Sequence, residues 1–199
     1  MLEQLKSLDQ KILLPINHFF SQHGGFLNKF LAEYLIYSLP LILIVLWFRP
    51  VSPTASRGGS KQAKKVALRA LFAAILAWPI FSNLIGHLVN RSRPFEVSGV
   101  HELLFHRPTY SFPSDHAAAL FAVGFSFLFS GYRKMAFLVL GLAVVISFFR
   151  VATAIHWPSD ILVGLVIGLI AAYLIHLFDK PLNLVYNFIL KVASKLRLA

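Results

Sequence analysis

Five long apolar stretches alternate with short polar ones along the 199 residues, at 30–48, 70–90, 117–132, 135–149 and 161–178. The first carries a single charge, Glu33, and the others carry none. A bilayer crossing needs roughly 17–25 residues of helix. The third and fourth stretches approach that length when extended back to Ser114 and on to Ala152. Lipid offers the backbone no hydrogen-bond partners, so the pattern predicts helices rather than open strands. Gly131-Tyr132-Arg133-Lys134 joins the third and fourth as a tight hairpin. Residues 2–20 are apolar on a rough helical period, interrupted by Lys6, Asp9, Lys11 and Pro15. That predicts an interfacial helix, ended by His23-Gly24-Gly25. The tail at 181–198 repeats the pattern with Lys191, Lys195 and Arg197. Residues 49–65 read as a basic Pro/Ser/Gly loop and 103–112 as a second loop. The expected fold is all-α: a single membrane domain over 1–199, with five transmembrane helices, or six if the N-terminal segment also crosses. Its parts are an interfacial helix at 1–25, a transmembrane core at 26–178 and a basic amphipathic tail at 179–199.

Composition supports that reading. The chain is 57% hydrophobic and 14% charged, against about 25% charged in a soluble domain. The absence of cysteine excludes disulfides, thiolate nucleophiles and iron–sulfur clusters. A net charge of +11 would suggest nucleic acid in a soluble protein. On this background it points to anionic lipid head groups and no nucleic-acid partner. Residues 1–22 mix acid and base and lack a small-residue cleavage site, so no secretory signal peptide is expected. Five crossings divide the 19 basic residues into twelve on the side of 49–69, the hairpin and the tail, and seven on the other. The richer side is expected to be cytoplasmic.

Three polar strings fall together on the poorer, outward side: Arg91-Ser92-Arg93-Pro94-Phe95, Phe112-Pro113-Ser114-Asp115-His116, and Arg150 followed by His156-Trp157-Pro158-Ser159-Asp160. Singly each has a plain reading, as a helix start or a head-group anchor. His18, His23, His87 and His176 read as structural. Together the strings hold more. His156 and Asp160 lie four apart, a spacing that sets a carboxylate against one ring nitrogen and frees the other for attack. Ser114, Asp115 and His116 open a helix whose unpaired N–H groups favour phosphate. Arg93 and Arg150 can hold phosphate oxygens bidentately, and His116 can protonate a leaving oxygen. This set supports phosphoryl transfer with no metal and no cofactor. Glu96, His101, Glu102 and His106 are too loosely spaced to suggest a cation site. An arginine-lined transporter or lipid-binding protein is the rival class. It would be expected to place polar groups near mid-span rather than at one interface.

The string Arg93-Pro94, then Pro113-Ser114-Asp115-His116, then Arg150-x5-His156-x3-Asp160 resembles the type 2 phosphatidic acid phosphatase superfamily. That pattern is Lys-x6-Arg-Pro, Pro-Ser-Gly-His and Ser-Arg-x5-His-x3-Asp. The resemblance implies His156 as nucleophile, Asp160 as its partner and His116 as acid, with Arg93, Ser114 and Arg150 on the phosphate. Pro-Ser-Asp-His, Arg-x-Arg-Pro-Phe and the small size resemble the bacterial undecaprenyl pyrophosphate phosphatase branch tied to bacitracin resistance. This implies a polyprenyl pyrophosphate substrate and a bacterial inner membrane, with the site facing outward. Phosphatidic acid, phosphatidylglycerol phosphate and lipid A are the alternative substrates, and oligomeric state is left open. Two positions depart from the pattern. Gly86 stands where it has Lys, and Phe149 where it has Ser. Arg91 is the candidate to replace the missing cation.

Overall fold

The computed structural model describes residues 2–48, 58–105 and 109–198, and among them there is no strand. Helix α1 is Leu2–His23 and α2 is Gly25–Trp47. Helix α3 covers 58–89, α4 is Asp115–Phe129, α5 is Arg133–Ala152, α6 is Pro158–Leu177 and α7 is Asp179–Lys195. The expected all-helical membrane bundle is present. Helices α2, α3, α5 and α6 are each long and apolar enough to cross a membrane. The fifth, α4, is shorter than expected at 15 residues. It lies in the middle of the bundle, with nearly every residue from Ala117 to Phe127 buried, so its surroundings are protein rather than lipid.

Helix α3 starts at Gly58, within the segment expected to be a loop. The basic Pro/Ser/Gly composition there suggests a loop, yet Lys, Gln and Ala are good helix formers. Lys65 Nζ donates to Asn183 Oδ1 at 2.6 Å, and Arg69 grips Asp179 at 2.5 and 2.7 Å, tying this turn to α7. Arg49, Arg57, His106 and Arg107 lie outside the described residues. Farther along, α3 widens into a π-helical segment, Leu76–Ser82, around Pro79. Proline has no N–H to close the ordinary helical bond and its ring crowds the preceding turn, which the wider turn accommodates. Asn90, in the left-handed region, ends the helix.

Helices α4 and α6 pack backbone to backbone. A Cβ at Gly164 would stand 2.7 Å from the Ser114 carbonyl oxygen, and one at Gly168 would stand 2.7 Å from the Ala118 oxygen. Small residues permit this approach. It sets the two Pro-Ser-Asp helix starts side by side, with Ser114 N donating to the Asp160 carbonyl at 3.1 Å. One face of helix α1 packs into the bundle. Asp9, Leu13 and Asn17, four apart, are all buried. Asn17 donates to the carbonyls of His101 (2.9 Å) and Ala152 (3.0 Å), at the end where α6 begins. The C-terminal helix packs at the opposite end, where Trp47 Nε1 donates to the Leu198 carbonyl at 2.7 Å.

Candidate active site

Helix α5 ends in a reversal that places its last charged residue beneath the next histidine. Ala154 adopts φ 60°, and the amides of Ile155 and His156 both turn back to the Arg150 carbonyl at 3.1 and 3.3 Å. Holding alanine there costs roughly 1–2 kcal/mol. The loop containing Arg93 secures it: Phe95 N donates to Ala154 O at 3.3 Å and Arg93 Nη1 to Ile155 O at 2.9 Å.

His156 is buried by this turn. Its Nδ1 lies 2.7 Å from the Ser111 carbonyl oxygen. A carbonyl only accepts, so Nδ1 carries the proton and Nε2 presents a lone pair. Arg150 Nη2 donates to that nitrogen at 3.3 Å. Burial pushes the imidazole down to about 4, so it is neutral near pH 7. The expected close contact with Asp160 is not made: Asp160 Oδ2 is 3.7 Å from Nδ1. That carboxylate sits in the first turn of α6 and takes nearer donors, Trp157 N at 2.8 Å and Arg91 Nη1 at 2.8 Å.

Arg91 is therefore turned behind the histidine rather than into the cavity. It donates to Ser159 Oγ (2.7 Å), Asp160 Oδ1 (2.8 Å) and Asp9 Oδ2 (2.7 Å), with its guanidinium over the Trp157 ring. Asp9 also accepts from Ser159 N at 2.9 Å and Ser159 Oγ at 2.6 Å. Sequence reasoning missed Asp9 and Ser111. The signal for Asp9 was an acid on the apolar face of α1; for Ser111, whose contribution is a backbone carbonyl, there was none.

The remaining expected residues converge. Arg150 is buried, with Nη1 on the Ala32 carbonyl at 3.2 Å and Nε without a partner. Arg93 lines the cavity, but four of its five N–H groups already serve Thr109 O, Thr109 Oγ1, Tyr110 O and Ile155 O. It therefore has one N–H to offer an anion, not the fork expected. Ser114 caps α4, its Oγ accepting from Ala117 N at 3.4 Å. Asp115 Oδ1 accepts from its neighbour's Nδ1 at 2.9 Å and backbone N at 2.7 Å. Its side chain is thus a support for His116 and, as an acceptor, no phosphate ligand. The closer carboxylate–imidazole contact is this one, at 2.9 Å, against 3.7 Å between Asp160 and His156.

A cavity of about 420 Å³ opens in front of His156, walled by Arg93, Asp115, Thr109 and Tyr110 and, from α3, by Trp78, Ser82, Asn83 and His87. A second, apolar groove of about 540 Å³ runs between α2 and α3, with Trp78 and His116 at its margin. Gly86 has no room for a side chain. A Cβ there would stand 2.2 Å from the Tyr110 ring, whose hydroxyl donates to Asn83 Oδ1.

Residues 67–183 match the PAP2 superfamily. The chain belongs to that superfamily. YbjG of Escherichia coli is 35% identical over 71% of this chain and 66% of its own length. The undecaprenyl-diphosphatase BcrC of Bacillus subtilis is 29% identical over 88% of this chain and 86% of its own length. The crystal structure of LpxE from Aquifex aeolicus superposes with a TM-score of 0.61 at 21% identity, covering 84% of this chain and 94% of that one, which bears on the fold alone. The phosphohydrolase class and the bacitracin-related branch expected from the motifs are thus borne out. In PAP2 terms, Tyr110 occupies the space over Gly86 that the first-motif Lys would need.

Proposed function

We propose that this PAP2 chain hydrolyses undecaprenyl pyrophosphate to undecaprenyl phosphate and inorganic phosphate, at the outward face of a bacterial inner membrane. The observation that carries the reading is the fixed tautomer of His156, its Nε2 lone pair beside the Arg150 guanidinium at 3.3 Å. In the first step that lone pair attacks the terminal phosphorus. The bond to the bridging oxygen breaks, and His116, as the imidazolium whose Nδ1–H is held by Asp115, gives its Nε2 proton to the departing lipid phosphate. A phosphohistidine remains. Water then attacks it, with His116 now taking the proton. Arg150 leaves the imidazole to hold the equatorial oxygens, joined by the spare Arg93 N–H and the N-terminus of α4. Asp160 acts at longer range, ordering the Trp157 turn that carries His156.

The apolar groove beside His116 suits a long hydrocarbon tail, and the name of the Bacillus relative supports the polyprenyl diphosphate. The outward orientation rests on the unequal division of Lys and Arg. The test is phosphate release by purified protein from undecaprenyl pyrophosphate, alongside phosphatidic acid, phosphatidylglycerol phosphate and lipid A. The polyprenyl substrate should have the highest kcat/KM. Acid-labile, alkali-stable labelling should appear in a rapid quench and be absent from His156→Ala. Retained turnover above a few per cent in that variant would remove His156 from the role.

A further inference from the structure

We propose that the α3 side of the cavity, Ser82 and Asn83 together with Tyr110, binds the lipid-side phosphate of a diphosphate and makes this chain prefer diphosphates to monophosphates. The inference rests on the phosphatase reading above and concerns the other half of the substrate.

Ser82 lines the cavity, is 2% exposed, and its hydroxyl has no hydrogen-bond partner among the described residues. A buried hydroxyl left unpaired is destabilising, so one on the wall of a cavity marks a place for an acceptor. Four residues on, Gly86 leaves the space that the Tyr110 ring fills. The Tyr110 hydroxyl donates to Asn83 Oδ1, which leaves the Asn83 amide N–H groups as donors. Partial burial and the charge of Asp115 push the Tyr110 phenol up, keeping it a donor.

The catalytic end is sufficient for one phosphate. Arg150 has an unpartnered buried Nε, and Arg93 has one N–H free of protein acceptors. In-line attack by His156 directs the leaving group away from Nε2. The cavity wall not contributed by the catalytic loops is α3, and Trp78 leads from it into the apolar groove. A second phosphate there meets hydroxyl and amide donors, with His87 on the same wall, where the PAP2 pattern has a Lys.

Full-length protein is assayed with farnesyl diphosphate and farnesyl monophosphate, which share one tail. Ser82→Ala and Tyr110→Phe should each lower kcat/KM for the diphosphate roughly tenfold, with the monophosphate within about twofold. Ser82→Ala should not lower Tm, because the hydroxyl it removes has no partner to lose. Gly86→Ala, which pushes the ring aside, should reproduce the Tyr110→Phe preference. Equal losses on both substrates, or unchanged kinetics on both, overturn the proposal. So does a wild type that hydrolyses only the monophosphate, which leaves the phosphatase reading standing. A wild type inactive on both removes that reading itself.

Discussion

Replacing Arg91 with Ala takes the cation away from two buried carboxylates at once. The side chains of Asp9 and Asp160 are 3% and 0% exposed, and Arg91 itself is 19% exposed. Breaking such a pair by removing one partner costs about 3–5 kcal/mol. Asp9 keeps both donors of Ser159, and Asp160 keeps Trp157 N, which argues for the lower end, about 3 kcal/mol. For a chain of this size each kcal/mol is worth roughly 2–4 °C. Arg91→Ala should therefore lower Tm by roughly 6–12 °C in detergent. Arg91→Lys should recover a minority of that, since one ammonium replaces a fork that spans two acids and a hydroxyl. Activity per folded molecule should fall on diphosphate and monophosphate alike, because the Trp157 turn that carries His156 loosens. Thermal denaturation followed by tryptophan fluorescence, with both assays at a temperature where the variant is folded, checks this. A Tm within about 1 °C of wild type, with a loss confined to the diphosphate, would refute the structural role and return Arg91 to the phosphate.

Because burial holds His156 neutral down to about pH 4, the acid limb of kcat/KM should fall near that value rather than near 6.5. The same depression means that the unfolded chain binds the proton first. Stability should therefore decline by up to about 1.4 kcal/mol per pH unit as pH falls from 6.5 to 4, and His156→Asn should flatten that slope. Turnover should survive excess chelator and be inhibited by vanadate; complete loss restored by magnesium or zinc would replace the arginine-based mechanism. Single cysteines at Ser98 and Ser130 should differ toward an impermeant thiol reagent on spheroplasts, with Ser98 labelled and Ser130 protected, and the reverse would invert the topology.

The membrane class, the helical bundle and the candidate site residues were legible because each had a local signal. Apolar runs were long, and proline and serine marked the helix starts. His156, Arg150 and His116 sit at spacings that chemistry restricts. What escaped was decided by partners far along the chain. The nearest donors to Asp160 belong to Arg91 and Trp157, so the expected pairing with His156 gave way to a backbone carbonyl 45 residues earlier. The sequence offers Arg93 as a free fork, although the loops it staples consume most of its donors. The start of α3 was hidden by its charges, and the inner face of α1 by the lone Asp9. Gly86 was legible as a gap, but its occupant, Tyr110, lies 24 positions away and carries no periodic signature.

The contact of Gly164 and Gly168 with the main chain of α4 acts as a mechanical gauge. The separation between the loop bearing His156 and the turn bearing His116 is set by peptide groups pressed together, not by side chains that can be exchanged. Substitutions along the α2–α3 groove can then alter its shape without disturbing the spacing of the two histidines. Chemistry and lipid choice are in this sense separable parts of one small bundle. Gly168→Ala should damage the first on every substrate, whereas changes along the α2–α3 groove should alter only the second.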